Sequence, residues 1–242
     1  FVIQKVTPTI SVSNSPQTYS GIGQAATISG SVSGVASNVL TGGAATQTNV
    51  GTYAVTADFA PTDSTNYNNL TAATAGNFQI TPADANCVIA GFTGNYDGLA
   101  HGATGTCTGV GTDGVLSGLD LGISFTNVPG GNANWSFSNA NYDSENGSVA
   151  IVINKADADC SSIAGYNVTY DAQAHTATGD CLGVESEILA GLDLSGTTHT
   201  DAGTYNGDAW TFTDVTGNYN DINDTVSDVI AKADASCLVI GY

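Results

Sequence analysis

A sequence period of about 75 residues constrains this chain more than any other feature, because tandem units must each repeat one small fold. One marker is the isoleucine of "IQKVTP", "ITPADANC", "INKADADC" and "IAKADASC": Ile3, Ile80, Ile153 and Ile230, spaced 77, 73 and 77 residues apart. A second is the tyrosine of "TYSG", "NYDG" and "TYDA" (Tyr19, Tyr96, Tyr170), and a third that of "TNYNN", "ANYDS" and "GNYND" (Tyr67, Tyr142, Tyr219). The period predicts three modules, residues 1–79, 80–152 and 153–229, with residues 230–242 opening a fourth. The opening residues read as the last strand of a preceding module. With no methionine anywhere, the chain reads as an internal piece of a longer array.

Within a module the pattern is that of short strands. "TISVS", "CVIAGF", "TYAVTADF", "NWSFS", "AWTFT" and "SVAIVI" are rich in β-branched and aromatic residues and are bounded by Gly, Asn and Asp. Alternation puts Tyr53, Val55 and Ala57 on one face, and Trp135 with Phe137 on another, so one side of each sheet is expected to be buried. Only "ESEILAGLDL" at 185–194 offers a helical turn. The expected fold class is all-β: a tandem array of small immunoglobulin-like β-sandwich modules, with β-grasp-like modules as the alternative if 185–194 is a helix. An apolar fraction of 41% is too high for a disordered tail.

Charge narrows the function classes. Three lysines, no arginine and 22 acidic residues give a net charge of −19. A nucleic-acid binder must neutralise phosphates with cations, and an anionic membrane surface demands the same, so neither is an expected partner. No window approaches the length of a membrane-spanning helix; the richest apolar run is "VAIVI" at 149–153. The modules carry −1, −6 and −12 in chain order, and the last residues are neutral.

Cys87 and Cys107 lie 20 residues apart and Cys160 and Cys181 lie 21 apart, at matching places in modules two and three. Module one has Ile10 and Gly30 there, so both members are missing together, as bonded partners would be. The predicted pairs are Cys87–Cys107 and Cys160–Cys181, with the partner of Cys237 lying beyond the sequence. Buried free thiols are the alternative; zinc fits less well, since no CxxC spacing occurs. A disulfide closing a loop of this length contributes roughly 3 kcal/mol, a large share of a small module's stability. Disulfides predict an extracellular or cell-surface location.

At "TNVGTYAVTADFAPTDSTNYNN" (48–69), "NYDGLAHGATGTCTGV" (95–110) and "LDLSGTTHTDAGTYNGDAWTFTDVTGNYND" (192–221) the chain resembles the MBG and YDG-type repeats of very large bacterial extracellular proteins. That resemblance extends over essentially the whole chain. It implies tandem β-sandwich-like modules in surface or secreted proteins and brings no catalytic residues with it.

Other candidate sites have plain structural readings beside them. His101 and His175 share one module position, where module one has Gln24, so a polar turn or strand role is expected. His199 has no counterpart. No nucleophile elbow accompanies these histidines, and the chain is not expected to be an enzyme. Calcium is the one candidate cofactor, at Asp157 and Asp159 in "ADAD" and at Asp221 and Asp224 in "GNYNDINDT". Solvated turn acids are the competing account, since Asp84 pairs with Asn86, and Asp234 with Ser236, at the equivalent junctions. Lys5, Lys155 and Lys232 share a position with Pro82, which favours a lysine satisfying nearby acids over an isopeptide crosslink. Trp135 and Trp210 are assigned to the core, with sugar stacking as the alternative.

The expected function is therefore structural: a disulfide-stapled segment of an extended extracellular fibre, filament or adhesin stalk. Its expected partners are neighbouring repeats of the same chain and other copies in a filament. The alternative is a glycan- or protein-binding adhesion module, whose binding residues the sequence does not specify.

Overall fold

The computed structural model describes residues 2–238. Among these there is no α-helix, and the chain is all-β. The first repeat holds β1 (Ile10–Val12), β2 (Gln17–Thr18), β3 (Ile28–Gly30), β4 (Gly34–Thr41), β5 (Gly51–Pro61) and β6 (Leu70–Thr81). Strands β2-β6-β5-β4 form one sheet, antiparallel except for the parallel β2–β6 pair, and β1 pairs with β3 in a second ladder. Along β5 the alternation expected from sequence holds: Val55, Ala57 and Phe59 are buried and their neighbours face outward. Phe78 and Ile80 of β6 join them, and Ile10, Val12 and Ile28 of the ladder pack onto the same core. Two thin layers thus close on one apolar interior.

The second repeat holds β7 (Asn86–Ala90), β8 (Phe92–Asn95), β9 (Thr104–Thr108), β10 (Leu119–Asp120), β11 (Gly130–Asn139) and β12 (Tyr142–Asn154). Strands β7 and β9 are antiparallel, with Cys87 opposite Cys107. β8 runs parallel to β12 and β10 antiparallel to β11, the pairings that β2 makes with β6 and β4 with β5. In the third repeat β13 (Asn167–Thr169), β14 (Leu192–Asp193), β15 (Gly203–Phe212) and β16 (Ile222–Ala231) form a sheet of order β13-β16-β15-β14. That order matches β2-β6-β5-β4 position for position. Isolated bridges, Asp159 to Leu182 and Ala164 to Thr178, stand where the earlier repeats have a two-stranded ladder.

Segment 185–194 is not helical. It makes a turn, a bridge between Leu182 and Ile188, and then β14. The local apolar spacing is overruled by pairing with β15, which needs a close approach at Gly191. There φ is +107°, and a Cβ would run into the Thr213 carbonyl oxygen. Gly118 is its counterpart before β10, at φ +102° against the Ser138 carbonyl. Without the helix, the condition on which the β-grasp alternative rested is gone.

The chain divides into two compact units, and they are not the sequence modules. One comprises residues 1–90, 104–122 and 134–148; the other comprises 91–103, 123–133 and 149–242. Each unit therefore gathers parts of two successive repeats, and each contains one junction between repeats. The first unit is built on the core around Val55, Phe78, Ile80, Phe137 and Tyr142. The second has a cluster around Trp210, Phe212 and Tyr219 and another formed by Ala133, Ile151 and Ile153.

Candidate functional site

The repeated sequence marker around Tyr19, Tyr96 and Tyr170 is a turn whose three residues have separate tasks. The third residue adopts a left-handed conformation in every repeat: Gly21 at φ +75°, Gly98 at +78° and Ala172 at +62°. Where the second residue is aspartate it closes an Asx turn, with Asp97 accepting from the Leu99 N–H and Asp171 from the Gln173 N–H. These N–H groups, followed by His101 and His175, hold the two carboxyls below the usual carboxylate range. His101 and His175 bond those same carboxylates at 2.9 and 3.0 Å. In the first repeat Gln24 donates instead to the Thr18 carbonyl and the Ser20 hydroxyl. The paired histidines are thus turn residues.

In the first two repeats the first residue of the turn, tyrosine, reaches into the next repeat. In the first unit Tyr19 meets Tyr142 edge-on, with ring centroids 5.4 Å apart, and both hydroxyls donate to Asp113 Oδ2, at 2.8 and 2.6 Å. The Tyr142 hydroxyl also accepts from the Val110 N–H. In the second unit Tyr96 meets Tyr219 edge-on at 5.5 Å. The Tyr219 hydroxyl donates to Glu187 Oε1 at 2.7 Å and accepts from the Val184 N–H at 3.0 Å. The residue before Tyr142 and before Tyr219 adds a second tie. Asn141 accepts from the Val50 N–H and donates to Asn49; Asn218 accepts from the Val128 N–H and donates to Asn127. Two junctions between repeats are therefore fastened by the same residue types at matching positions.

The electrostatics follow from burial. Tyr142 and Tyr219 are almost fully enclosed. Burial, together with the carboxylate that needs its proton, raises the Tyr142 hydroxyl and pushes Tyr219 up to about 12. The hydroxyl of Tyr19 is raised first by its bond to Asp113 and then by burial. Reciprocally, donation by the tyrosines lowers Asp113 and Glu187. The sequence markers exposed the tyrosines but not their acids. Asp113 and Glu187 fall at nearly equal distances after Ile80 and Ile153, and aligning the repeats on those isoleucines is the signal that finds them.

Disulfides join Cys87 to Cys107 and Cys160 to Cys181; Cys107 and Cys181 are wholly buried, whereas Cys237 is free and exposed. Disulfides belong to oxidising, extracellular surroundings. No helix among the described residues is long and apolar enough to cross a membrane.

The four aspartates considered for calcium are all exposed, and each is engaged locally. Asp157 accepts from the Asn220 amide, Asp159 from the Ser161 N–H, Asp221 from the Asp214 N–H and Asp224 from the Thr225 N–H. Among the described residues, the group of three His, Cys, Asp or Glu side chains whose ligand atoms converge is a different one, His199, Asp208 and Asp228. As expected of a junction lysine, Lys5 acts on a nearby acid: behind the bonds from Asn66 and Thr65, its charge helps hold Asp63 below the usual carboxylate range. The ammonium groups of Lys5 and Lys155 also donate to the carbonyls of Ser64 and Tyr219, tying the start of the first and third repeats to the loop ahead of β6 and of β16. Trp210 is a core residue and Trp135 is half-buried against the first unit's core.

No protein-family model matches the chain, and no curated protein matches it in sequence. Among solved structures it is similar to extracellular domains 3–5 of Drosophila OTK, at 12% identity and a TM-score of 0.24 over 75% of this chain and 71% of that one. It is also similar to SGBP-B of the Bacteroides ovatus mixed-linkage glucan utilization locus, solved in complex with a mixed-linkage heptasaccharide, at 12% identity and a TM-score of 0.19 over 95% of this chain and 71% of that one.

Proposed function

We propose that this chain is a structural segment of an extended extracellular fibre, filament or adhesin stalk, built from tandem repeats and serving no catalysis. The observation that carries the reading is the recurrence of one fastening, tyrosine on tyrosine with an acid on the hydroxyl and an asparagine beside it, at both junctions between repeats. A chain whose repeats only needed tethering would have no use for buried, hydrogen-bonded junctions, whereas a load-bearing array needs each repeat seated on the next. The disulfides serve the same end, since a closed loop cannot be drawn out by tension. A net charge of −19 keeps such an array soluble and apart from its neighbours. The resemblance to MBG and YDG-type repeats of large bacterial surface proteins implies the same role, with neighbouring repeats of the chain as the principal partners.

Immunogold electron microscopy of native cell-surface or secreted material, with an antibody raised against this segment, tests the reading. Label spaced regularly along filaments is the expected result. Label confined to filament tips or to contacts with other surfaces would overturn it in favour of an adhesion module.

A further inference from the structure

The third repeat replaces part of its apolar core with a buried polar constellation. Asp228 on β16 is wholly buried. Counting from Ile230, Ile153 and Ile80, it stands where the earlier repeats have Ile151 and Phe78, themselves 1% and 0% exposed. Asp208 on β15 stands opposite Val226, as Val55 stands opposite Gly76, and it corresponds to Ala133 when counted back from Phe212 and Phe137. Val55 and Ala133 are each 0% exposed. His199, which bridges His175, takes the place of Phe125, which bridges His101, and of Gln47, which bridges Gln24. Three positions that are mainly apolar elsewhere have become His, Asp and Asp together.

The geometry of the three is that of groups converging on one point. His199 Nε2 and Asp208 Oδ2 are 2.8 Å apart, and with a carboxylate oxygen of Asp228 all three ligand atoms lie within 4.8 Å of one another. Asp228 Oδ1 accepts from the Tyr166 N–H at 2.8 Å, but its Oδ2 is buried without a hydrogen-bond partner. The His199 ring is held flat against Tyr205, with centroids 3.6 Å apart and planes 4° apart, which fixes the direction of its nitrogens. The side chains of His199 and Asp208 are 23% and 16% exposed, so the cluster opens to solvent on that side while Asp228 forms its floor. Two adjoining carboxylates stand beside a single imidazole in place of core hydrocarbon, more acid than one imidazole can neutralise.

We propose that His199, Asp208 and Asp228 form a binding site for one divalent transition-metal ion, zinc or manganese. The +2 charge offsets both carboxylates, and the ion supplies the partner that Asp228 Oδ2 lacks. Imidazole nitrogen in the donor set favours zinc over calcium and magnesium, which take oxygen ligands, and the two carboxylates suit manganese. Three protein ligands leave a coordination position to solvent. Ion binding pins β15, β16 and the segment bearing His199 together in this repeat alone.

The test uses the whole chain with Cys237→Ser, which removes the exposed thiol as a competing ligand, after chelator treatment. Equilibrium dialysis against zinc chloride or manganese chloride, with bound metal measured by mass spectrometry, is expected to give one ion per chain at micromolar free metal. X-ray absorption is expected to show one imidazole nitrogen together with oxygens from the two carboxylates and solvent around the ion. Asp228→Ile, which restores the residue of the preceding repeat, is expected to fold and to weaken binding at least 100-fold; Asp228→Asn, which keeps the shape, is expected to weaken it as well. Millimolar calcium is expected not to displace the ion. Absence of stoichiometric binding overturns the proposal, as does equal binding by the Asp228 variants. So does an infrared carboxylic-acid band at neutral pH in the presence of zinc, lost in Asp228→Asn, because the carboxyls would then be sharing a proton in place of an ion.

Discussion

Replacing Tyr219 with phenylalanine isolates the junction fastening, because the ring and its edge-on packing against Tyr96 remain and only one hydroxyl is lost. Two bonds go with it, the donation to Glu187 Oε1 at 2.7 Å and the acceptance from the Val184 N–H at 3.0 Å. A hydrogen bond to a charged group contributes about 1.5–3 kcal/mol, and an N–H left without a partner costs a further ~1 kcal/mol or more. Glu187 is exposed, so water recovers part of the first term. The expected net loss is about 2 kcal/mol, a fall in Tm of roughly 6–12 °C for a compact unit of about 120 residues. Urea unfolding followed by the fluorescence of Trp210, in a Trp135→Phe background, reads the change in the cluster that holds both Trp210 and Tyr219. The effect also has a pH signature. Tyr219 is pushed up to about 12 in the folded chain from an ordinary value of 10.0, so its contribution is complete below pH 10.0 and disappears as pH rises through about 12. The wild-type chain should therefore lose stability more steeply than Tyr219→Phe across that window. A loss below about 0.5 kcal/mol at neutral pH, or parallel alkaline profiles, would refute the assignment of Tyr219 as a hydrogen-bonded latch, since the hydroxyl would then be contributing no more than a typical surface group.

Replacing Cys160 and Cys181 together with alanine opens a loop with a sequence separation of 21 and should lower unfolding stability by about 3 kcal/mol, measured in urea against the oxidised chain. Ala172→Gly should raise stability by about 0.5–1 kcal/mol in the same assay, because Ala172 holds φ +62° at a place where the other repeats use glycine. Burial works against the charge on Asp214, but the N–H groups of Tyr219 and Thr216 and the Thr216 hydroxyl outweigh it and hold the carboxyl below its ordinary value of 3.8. Its contribution is present above pH 3.8 and lost as pH falls through the lower folded value, so Asp214→Asn should flatten the acid limb of a stability profile followed by circular dichroism.

Much of this protein is written locally, and that part was legible. Alternation along β5 is a property of the strand itself, so the burial of Val55 and Ala57 follows from the order of residues. The glycines of the turn markers likewise report a backbone conformation that only the local chain sets. At 185–194 periodicity left a helical turn open, and the pairing of β14 with β15 closed that option over a helical spacing too short to nucleate alone. The lysines were legible in part, since Lys5 does act on a nearby acid, Asp63. A sequence shows that cations and acids are both present, but not that Lys5 and Lys155 end beside carbonyl oxygens.

The sequence by itself determined the period, the strand-forming segments and the tyrosines that mark each repeat, because these depend on neighbours along the chain. Only the tertiary structure decided what the tyrosines touch. Tyr19 and Asp113 are 94 residues apart, and nothing in either's local sequence specifies the other. It also decided that Asp208 and Asp228, two among 22 acidic residues, face inward beside His199. Inward or outward placement of an isolated acid depends on sheet register, which is fixed by pairing between distant strands.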